Sequence, residues 1–448
     1  MRTDDRLHKI RQVTAAIWFS VFTLILLSFL GFATLSGMSA QGSAAPFALR
    51  QDKAQSAFDF VNSIGTNTHL NYFDRTYGDF ALVEKELCSI GIRHVRDGAH
   101  LQNAGYNKVL YERWNELGKC DVRFDAILDP RSNLGPITTE LLAKIDALSG
   151  HTIESFEGAN EMDVSGIPDW ALAVRNFQTT LHKAALSLPS SEGIAVLAPS
   201  LAFASHGNEF GGPMIEADKG NLHPYPAGKM PSVIFPEQTD LARNIFGGRQ
   251  IVITESGYHN ALNDHHDQPP VSERAAAKYI PRLFLENFTR GIPRTYLYEF
   301  LDEAADPGLS DNQLHWGLVR ADGTEKPAYL SIKRLIAEVS DTAEPVHLQQ
   351  LAWSIAPADE SIHHLLLQKL NGDFDLILWR EVSSFDLGSL TDIDKEPASS
   401  ELTLSMKARR LTLYKPVEQS EPIETYSNAA RIRIAIPDHP LVIAISFK

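Results

Sequence analysis

Two stretches decide how this chain is read: Ile153-Glu154-Ser155-Phe156-Glu157-Gly158-Ala159-Asn160-Glu161 and Gln250-Ile251-Val252-Ile253-Thr254-Glu255-Ser256-Gly257-Tyr258. Each is a short strand-like run that ends in a glutamate with small residues beside it. Neither stands alone. Comparable runs begin near Ser63, Ile92, Val122, Ile194, Gly220 and Thr295. Helix-like stretches lie between most of them. In Phe80–Ile90 the residues Val83, Leu87 and Ile90 recur at helical spacing, and Gly91 supplies a stop. Glu140–Leu148 and the segment from Pro168 to Leu186 read the same way, with Pro168 near a helix start where a missing N–H costs little. Strand alternating with helix eight times over predicts an α/β fold, a (β/α)8 TIM barrel. A doubly wound open sheet shares the alternation, but no glycine-rich phosphate fingerprint follows the first strand.

After about Ser340 the pattern changes. Leu348–Ile355, Ile362–Leu370, Phe374–Trp379, Leu402–Met406, Leu411–Tyr414, Ile432–Ile436 and Leu441–Phe447 are strand-like with no helical pattern between them. This predicts a small C-terminal β-sandwich, to which Gln51–Phe60 adds a strand. The expected domains are residues 1–50 as a signal peptide or membrane anchor with linker, 51–340 as the barrel, and 341–448 as the sandwich.

The N-terminus supports export. Arg2, Arg6, Lys9 and Arg11 precede an apolar run from Ala15 to Leu35, roughly 20 residues and long enough to span a bilayer. A cleaved signal and an uncleaved anchor both stay open. Either makes the rest secreted, periplasmic or anchored on the outer side of a membrane, with membrane association through this segment as a possible partner interaction. The formal charge of −15 argues against nucleic acid as a partner. Cys88 and Cys120 are the only cysteines. An oxidising compartment would permit a bond; two separate buried thiols is the reading favoured here, because spacing alone does not bring two Cα atoms to bonding distance.

In a barrel of this kind the working side chains stand at the C-terminal ends of strands. Glu161 and Glu255 end strands four and seven, which look into one mouth. Two opposed carboxyls, one protonated and one ionised, are what cleavage of a glycosidic bond requires. Asn160-Glu161 after strand four and Thr254-Glu255-Ser256-Gly257-Tyr258 at strand seven resemble clan A glycoside hydrolases, the 4/7 barrel enzymes, over residues 60–340. The resemblance implies double displacement at a β-linked sugar with retention. It makes Glu161 the acid/base, Glu255 the nucleophile and Asn160 a partner of the sugar 2-hydroxyl. It also implies an arginine near the nucleophile, here Arg96, and the His223-x-Tyr225 pair beside it. A structural ion pair with Asp97 is the alternative for Arg96, and plain packing the alternative for His223 and Tyr225.

His69 after strand one, Glu299 at strand eight and Trp316 complete the expected substrate-binding set, although the apolar surroundings of Trp316 favour a core position. His206, after strand five, reads as a structural histidine near the mouth. His265-His266 with Asp264 and Asp267 reads as a polar rim loop rather than a metal site. No cofactor and no metal are expected. No zinc-protease helix pattern and no Gly-x-Ser-x-Gly elbow is present. The expected partner is an oligo- or polysaccharide. A non-catalytic sugar-binding barrel and a transglycosylase remain the alternatives to hydrolysis.

Overall fold

The computed structural model describes residues 49–448 except 102–103, 133, 189–192, 234 and 267, and without the side chains of 104, 235 and 236. The segment read as signal or anchor lies, up to residue 48, outside the described residues. Among the described residues no helix is long and apolar enough to cross a membrane.

Eight parallel strands form the centre: β1 (Ile64–Asn67), β2 (His94–Gly98), β3 (Arg123–Ile127), β4 (Ile153–Glu157), β5 (Ala195–Leu197), β6 (Gly220–Leu222), β7 (Ile251–Ser256) and β8 (Thr295–Leu297). Their order in the sheet is β5-β4-β3-β2-β1-β8-β7-β6. A bridge between Leu197 and Lys219 joins the two ends, with Ala198 N–H donating to the Lys219 carbonyl at 2.9 Å. The ring is thereby a (β/α)8-type barrel. Strand β7 is buried along its whole length, which is why its first half, Ile251–Ile253, reads as an apolar run rather than an alternating one.

Around it lie α1 (Phe80–Ile90), α2 (Ala104–Gly118), α3 (Thr139–Leu148), α4 (Trp170–Ala185), α5 (Phe235–Ile245), α6 (Glu273–Thr289) and α7 (Pro327–Val339). The first is typical of how the sequence sets these ends. The Asp79 carboxylate accepts the Leu82 N–H, and Gly91 closes the helix at φ 90°. Between β5 and β6 a 3-10 segment, Ala204–Phe210, stands in place of an α-helix.

The C-terminal strands are β9 (Gln350–Ala356), β10 (Ile362–Gln368), β11 (Phe374–Arg380), β12 (Ala398–Tyr414), β13 (Glu424–Ile436) and β14 (Leu441–Ser446). The sequence predicts a sandwich; the observed pairing joins these strands in one continuous sheet. Long β12 pairs with β9 through Glu401–Leu404 and with β14 through Arg410–Tyr414, so a single strand carries both halves. Arg50–Lys53 pairs with β9, and Gln55–Ser56 with β10. The first residues of the expected barrel span therefore belong to this sheet. One face of the sheet builds its own core around Trp353, Leu376 and Ile443. From the other, Leu365, Leu367, Ile377 and Trp379 join the core of the barrel.

Polar contacts fix that second face to α6. Buried Arg282 donates to Glu381, and Glu286 accepts from the Trp379 indole at 3.0 Å and pairs with His363. Cys88 and Cys120 are joined as a disulfide, with their Cα atoms 5.6 Å apart. This corrects the expectation of separate thiols: the end of α1 and the loop after α2 come together at the barrel base, a proximity the linear spacing does not encode.

Candidate active site

The C-terminal ends of β4 and β7 bring Glu161 and Glu255 together. A carboxylate oxygen of each and a ring nitrogen of His223 all lie within 4.8 Å of one another. Small residues allow the approach. A side chain at Gly257 would collide with the Tyr298 carbonyl, and one at Gly158 with the Gln178 amide.

Glu255 is almost completely enclosed. Arg96 Nη1 donates to its Oε1 at 2.6 Å, and the Tyr225 hydroxyl to its Oε2 at 2.7 Å. Burial by itself would push its pKa up. His223, Arg96 and the Tyr225 hydroxyl overcome that and hold the carboxyl below its ordinary value, as an anion. The Tyr225 hydroxyl is driven far above its usual range by burial and by the charge of Glu255, so it stays a donor.

Arg96 is committed in four directions. It grips Glu157 with Nε and Nη2 at 2.8 and 2.7 Å, and donates to Asn67 at 2.9 Å, to Asn160 at 2.7 Å and to Glu255. Its partner is not Asp97, whose carboxylate instead accepts from the Thr68 hydroxyl and the Leu70 and Gly98 N–H groups. Glu157 is a site residue that sequence reasoning missed. Its signal was an acid at an inward position of β4, two residues after Ser155 and four before Glu161.

Glu161 is more open, with about a quarter of its side chain exposed. Its backbone sits in the left-handed region at φ 45°, a conformation that costs about 1–3 kcal/mol for a residue with a side chain. Ser200 holds it there, accepting the Glu161 N–H at its carbonyl (3.2 Å) and its hydroxyl (3.3 Å). His223 Nδ1 lies 2.7 Å from Glu161 Oε1. On its other side Nε2 meets the Thr254 hydroxyl at 2.8 Å, and that hydroxyl donates onward to Asn221 Oδ1. The Thr254 oxygen is thus an acceptor, which places a proton on His223 Nε2. Burial opposes protonation of the second nitrogen, but Glu255 and Glu161 outweigh it and raise the histidine pKa.

Asn160 adjoins this pair. Its Oδ1 accepts from both Arg96 and Ser200, which fixes the amide orientation.

The opposite wall comes from β1 and β8. His69 stacks on Tyr72 and lies 3.1 Å from the Tyr298 hydroxyl. Burial, more than any neighbouring charge, lowers its pKa to about 4, so it is neutral at pH 7. Burial and the adjacent Glu303 push Glu299 well above the carboxylate range. Its Oε2 takes the Tyr77 hydroxyl, while Oε1 is buried without a partner. Trp316 is 5% exposed and gives the site ring contacts to Tyr225 and Tyr298. This is the packing role its apolar context favours. Asp264 is bonded to its own loop neighbour His266, and Asp267 lies outside the described residues.

Among the described residues two groups bring carboxylate and imidazole atoms within cation-binding reach: Glu161, His223 and Glu255, and His69, Glu299 and Glu303. In the first, Arg96 and a histidine held toward its charged form already supply the positive charge.

The fold is that of a (β/α)8-type barrel with two glutamates at the ends of its fourth and seventh strands. Solved structures that share the fold include a monomeric beta-xylosidase from Caulobacter crescentus CB15, with a TM-score of 0.55 and 13% identity over 88% of this chain and 98% of that one. The GH39 enzyme from Xanthomonas axonopodis pv. citri gives 0.55 and 13% over 92% and 100%. A glucosidase from Croceicoccus marinus gives 0.53 and 9% over 81% and 91%. At these identities the likeness is one of fold. No protein-family model matches the sequence, and no curated protein matches it.

The electrostatics around Glu255 carry a prediction. Tyr225→Phe keeps the ring against Trp316 and removes one donor that lowers the Glu255 pKa. The carboxyl then ionises at higher pH. The acid limb of kcat/KM moves upward, or, without reference to turnover, so does the Glu255 carboxyl titration followed by carbon-13 NMR. An unmoved limb and an unmoved titration would show that the hydroxyl contributes nothing to the anion.

Proposed function

We propose that the chain is a retaining glycoside hydrolase acting on a β-linked sugar, with Glu161 as acid/base and Glu255 as nucleophile. The observation that carries this reading is that one carboxylate oxygen of Glu161 and one of Glu255 lie within 4.8 Å of each other. Retaining enzymes hold the pair at ~5–5.5 Å, whereas inverting ones leave ~6.5–9.5 Å for a water. Their unequal surroundings fit unequal roles. Glu255 is enclosed by donors and ionised, and Glu161 is partly open and one hydrogen bond from an imidazole.

In the first step the Glu161 hydroxyl gives its proton to the glycosidic oxygen as that oxygen leaves. The Glu255 carboxylate forms a bond to the anomeric carbon, giving a glycosyl ester. In the second, Glu161, now ionised, takes a proton from water as the water oxygen attacks the anomeric carbon and the ester bond breaks. His223, pinned through Thr254 and Asn221, keeps a proton next to Glu161. Asn160 has its oxygen occupied by Arg96 and Ser200, which leaves its amide N–H groups for the sugar 2-hydroxyl. His69 and Tyr298 line the far wall as uncharged partners for sugar hydroxyls, while Glu299 is fully buried. The β-linked sugars to test first are xylosides and glucosides, since barrels of the same fold are named a beta-xylosidase and a glucosidase.

We also place the chain outside the cytoplasm, secreted or anchored by its first residues. The basic start and apolar run support this, and the Cys88–Cys120 pair fits an oxidising compartment. Unfolded without reductant, protein recovered from the native host should show no thiol that reacts with a chromogenic disulfide reagent, and two after reduction; two without reduction would contradict export.

The catalytic assignment makes a sharper prediction. Glu255→Ala abolishes turnover of every glycoside. Glu161→Ala retains activity on activated aryl glycosides and loses a factor of about 10²–10⁴ on poor leaving groups. Azide restores its rate and yields a β-glycosyl azide by proton NMR. An α-azide, or full activity of Glu255→Ala, would overturn the assignment.

A further inference from the structure

We propose that Phe203, with His206 beside it, forms a platform for a flat apolar face on the leaving group, either an aryl ring or the C–H face of a second sugar. The inference rests on the assignment of Glu161 as the acid.

Large apolar side chains scattered over a surface are ordinary. Two of them flank one buried carboxylate. Phe203 is 57% exposed and Val164 52%. One follows β5 and the other follows β4, in the two loops that carry Ser200 and Glu161. The loops are tied together by Asp163, two residues beyond Glu161, whose side chain is fully buried. Its carboxylate accepts the Ala202 N–H at 3.0 Å and the Phe203 N–H at 3.1 Å, and pairs with His206 Nδ1 at 2.9 Å. The Phe203 and His206 rings lie 5.2 Å apart. A buried carboxylate thus fixes the backbone of an exposed aromatic and the ring next to it. Without a function that arrangement uses three hydrogen bonds to keep a phenylalanine in water.

The position gives the ligand. An acid that protonates the glycosidic oxygen stands on the leaving-group side of the bond, while the nucleophile meets the anomeric carbon of the other sugar. The loops joined to Glu161 through Ser200 and Asp163 are therefore the ones a leaving group passes over. Aromatic rings meet sugar C–H faces and aryl rings through the same dispersion and quadrupole contacts.

The test is a leaving-group series on the sugar the enzyme accepts: a naphthyl glycoside, the matching disaccharide and the glycosyl fluoride, whose leaving group has no face to stack. Phe203→Ala should lower kcat/KM about five- to tenfold on the first two, and less than twofold on the fluoride, with Tm unchanged. Phe203→Trp should retain or raise the wild-type values. Loss on the naphthyl glycoside alone identifies an aryl leaving group, and loss on the disaccharide alone a sugar. Equal loss on all three, or loss on none, overturns the platform while leaving the hydrolase reading intact. No turnover of any glycoside by the unaltered enzyme would remove both.

Discussion

One guanidinium governs this site. Arg96 lies between two carboxylates, Glu157 behind it and Glu255 in front, and almost none of its surface reaches water. Buried charges persist when they are paired and hydrogen-bonded, and breaking such a pair from one side costs about 3–5 kcal/mol. Here one cation faces two anions, so a second positive charge is needed nearby. His223, held toward its protonated form by Glu255 and Glu161, supplies it. Asp125, one strand over, adds no charge: burial and the nearness of Glu157 push its pKa far up, so it keeps its proton. Arg96 and His223 thus offset the charges of Glu157 and Glu255, and Glu255 stays ionised.

The barrel makes this arrangement geometrically cheap. Arg96 lies in β2, Glu157 ends β4 and Glu255 lies in β7, and in a closed ring these strands point their inward side chains at one axis. Rigidity comes from outside the ring. Helix α6, which follows the strand of Glu255, is buried between the barrel and the C-terminal sheet, anchored through Arg282, Glu286 and Lys278. The sheet thus braces the strand that carries the anion, whatever else it does.

Most of this frame was legible before any coordinates. The starts of all eight barrel strands fall within two residues of positions read from apolar runs, the widest gap being Ile92 against His94. Arg96, Asn160, Glu161, His223, Tyr225 and Glu255 come together as their strand-end positions implied. What escaped the sequence has a common cause. Glu157 and Thr254 lie inside strands, where a polar residue looks like ordinary alternation until the closed ring turns it inward. The disulfide and the pairing of Arg50–Ser56 with the C-terminal sheet depend on contacts between distant segments. The continuous pairing of the C-terminal strands follows from one seventeen-residue strand, β12, which the sequence breaks into two apolar runs on either side of Lys407–Arg410. Phe203 carries no pattern at all, since an exposed aromatic is visible only once its exposure is known.

What the whole account needs is an ionised Glu255 that bonds to carbon. A 2-deoxy-2-fluoro glycosyl fluoride of an accepted sugar slows the second step more than the first and lets the intermediate accumulate. Mass spectrometry of the digested protein should then find one added fluorosugar, on the peptide containing Glu255, and released again on incubation with an acceptor. A label on any other carboxylate, or brisk turnover of the parent glycoside with no adduct at any time, would contradict it.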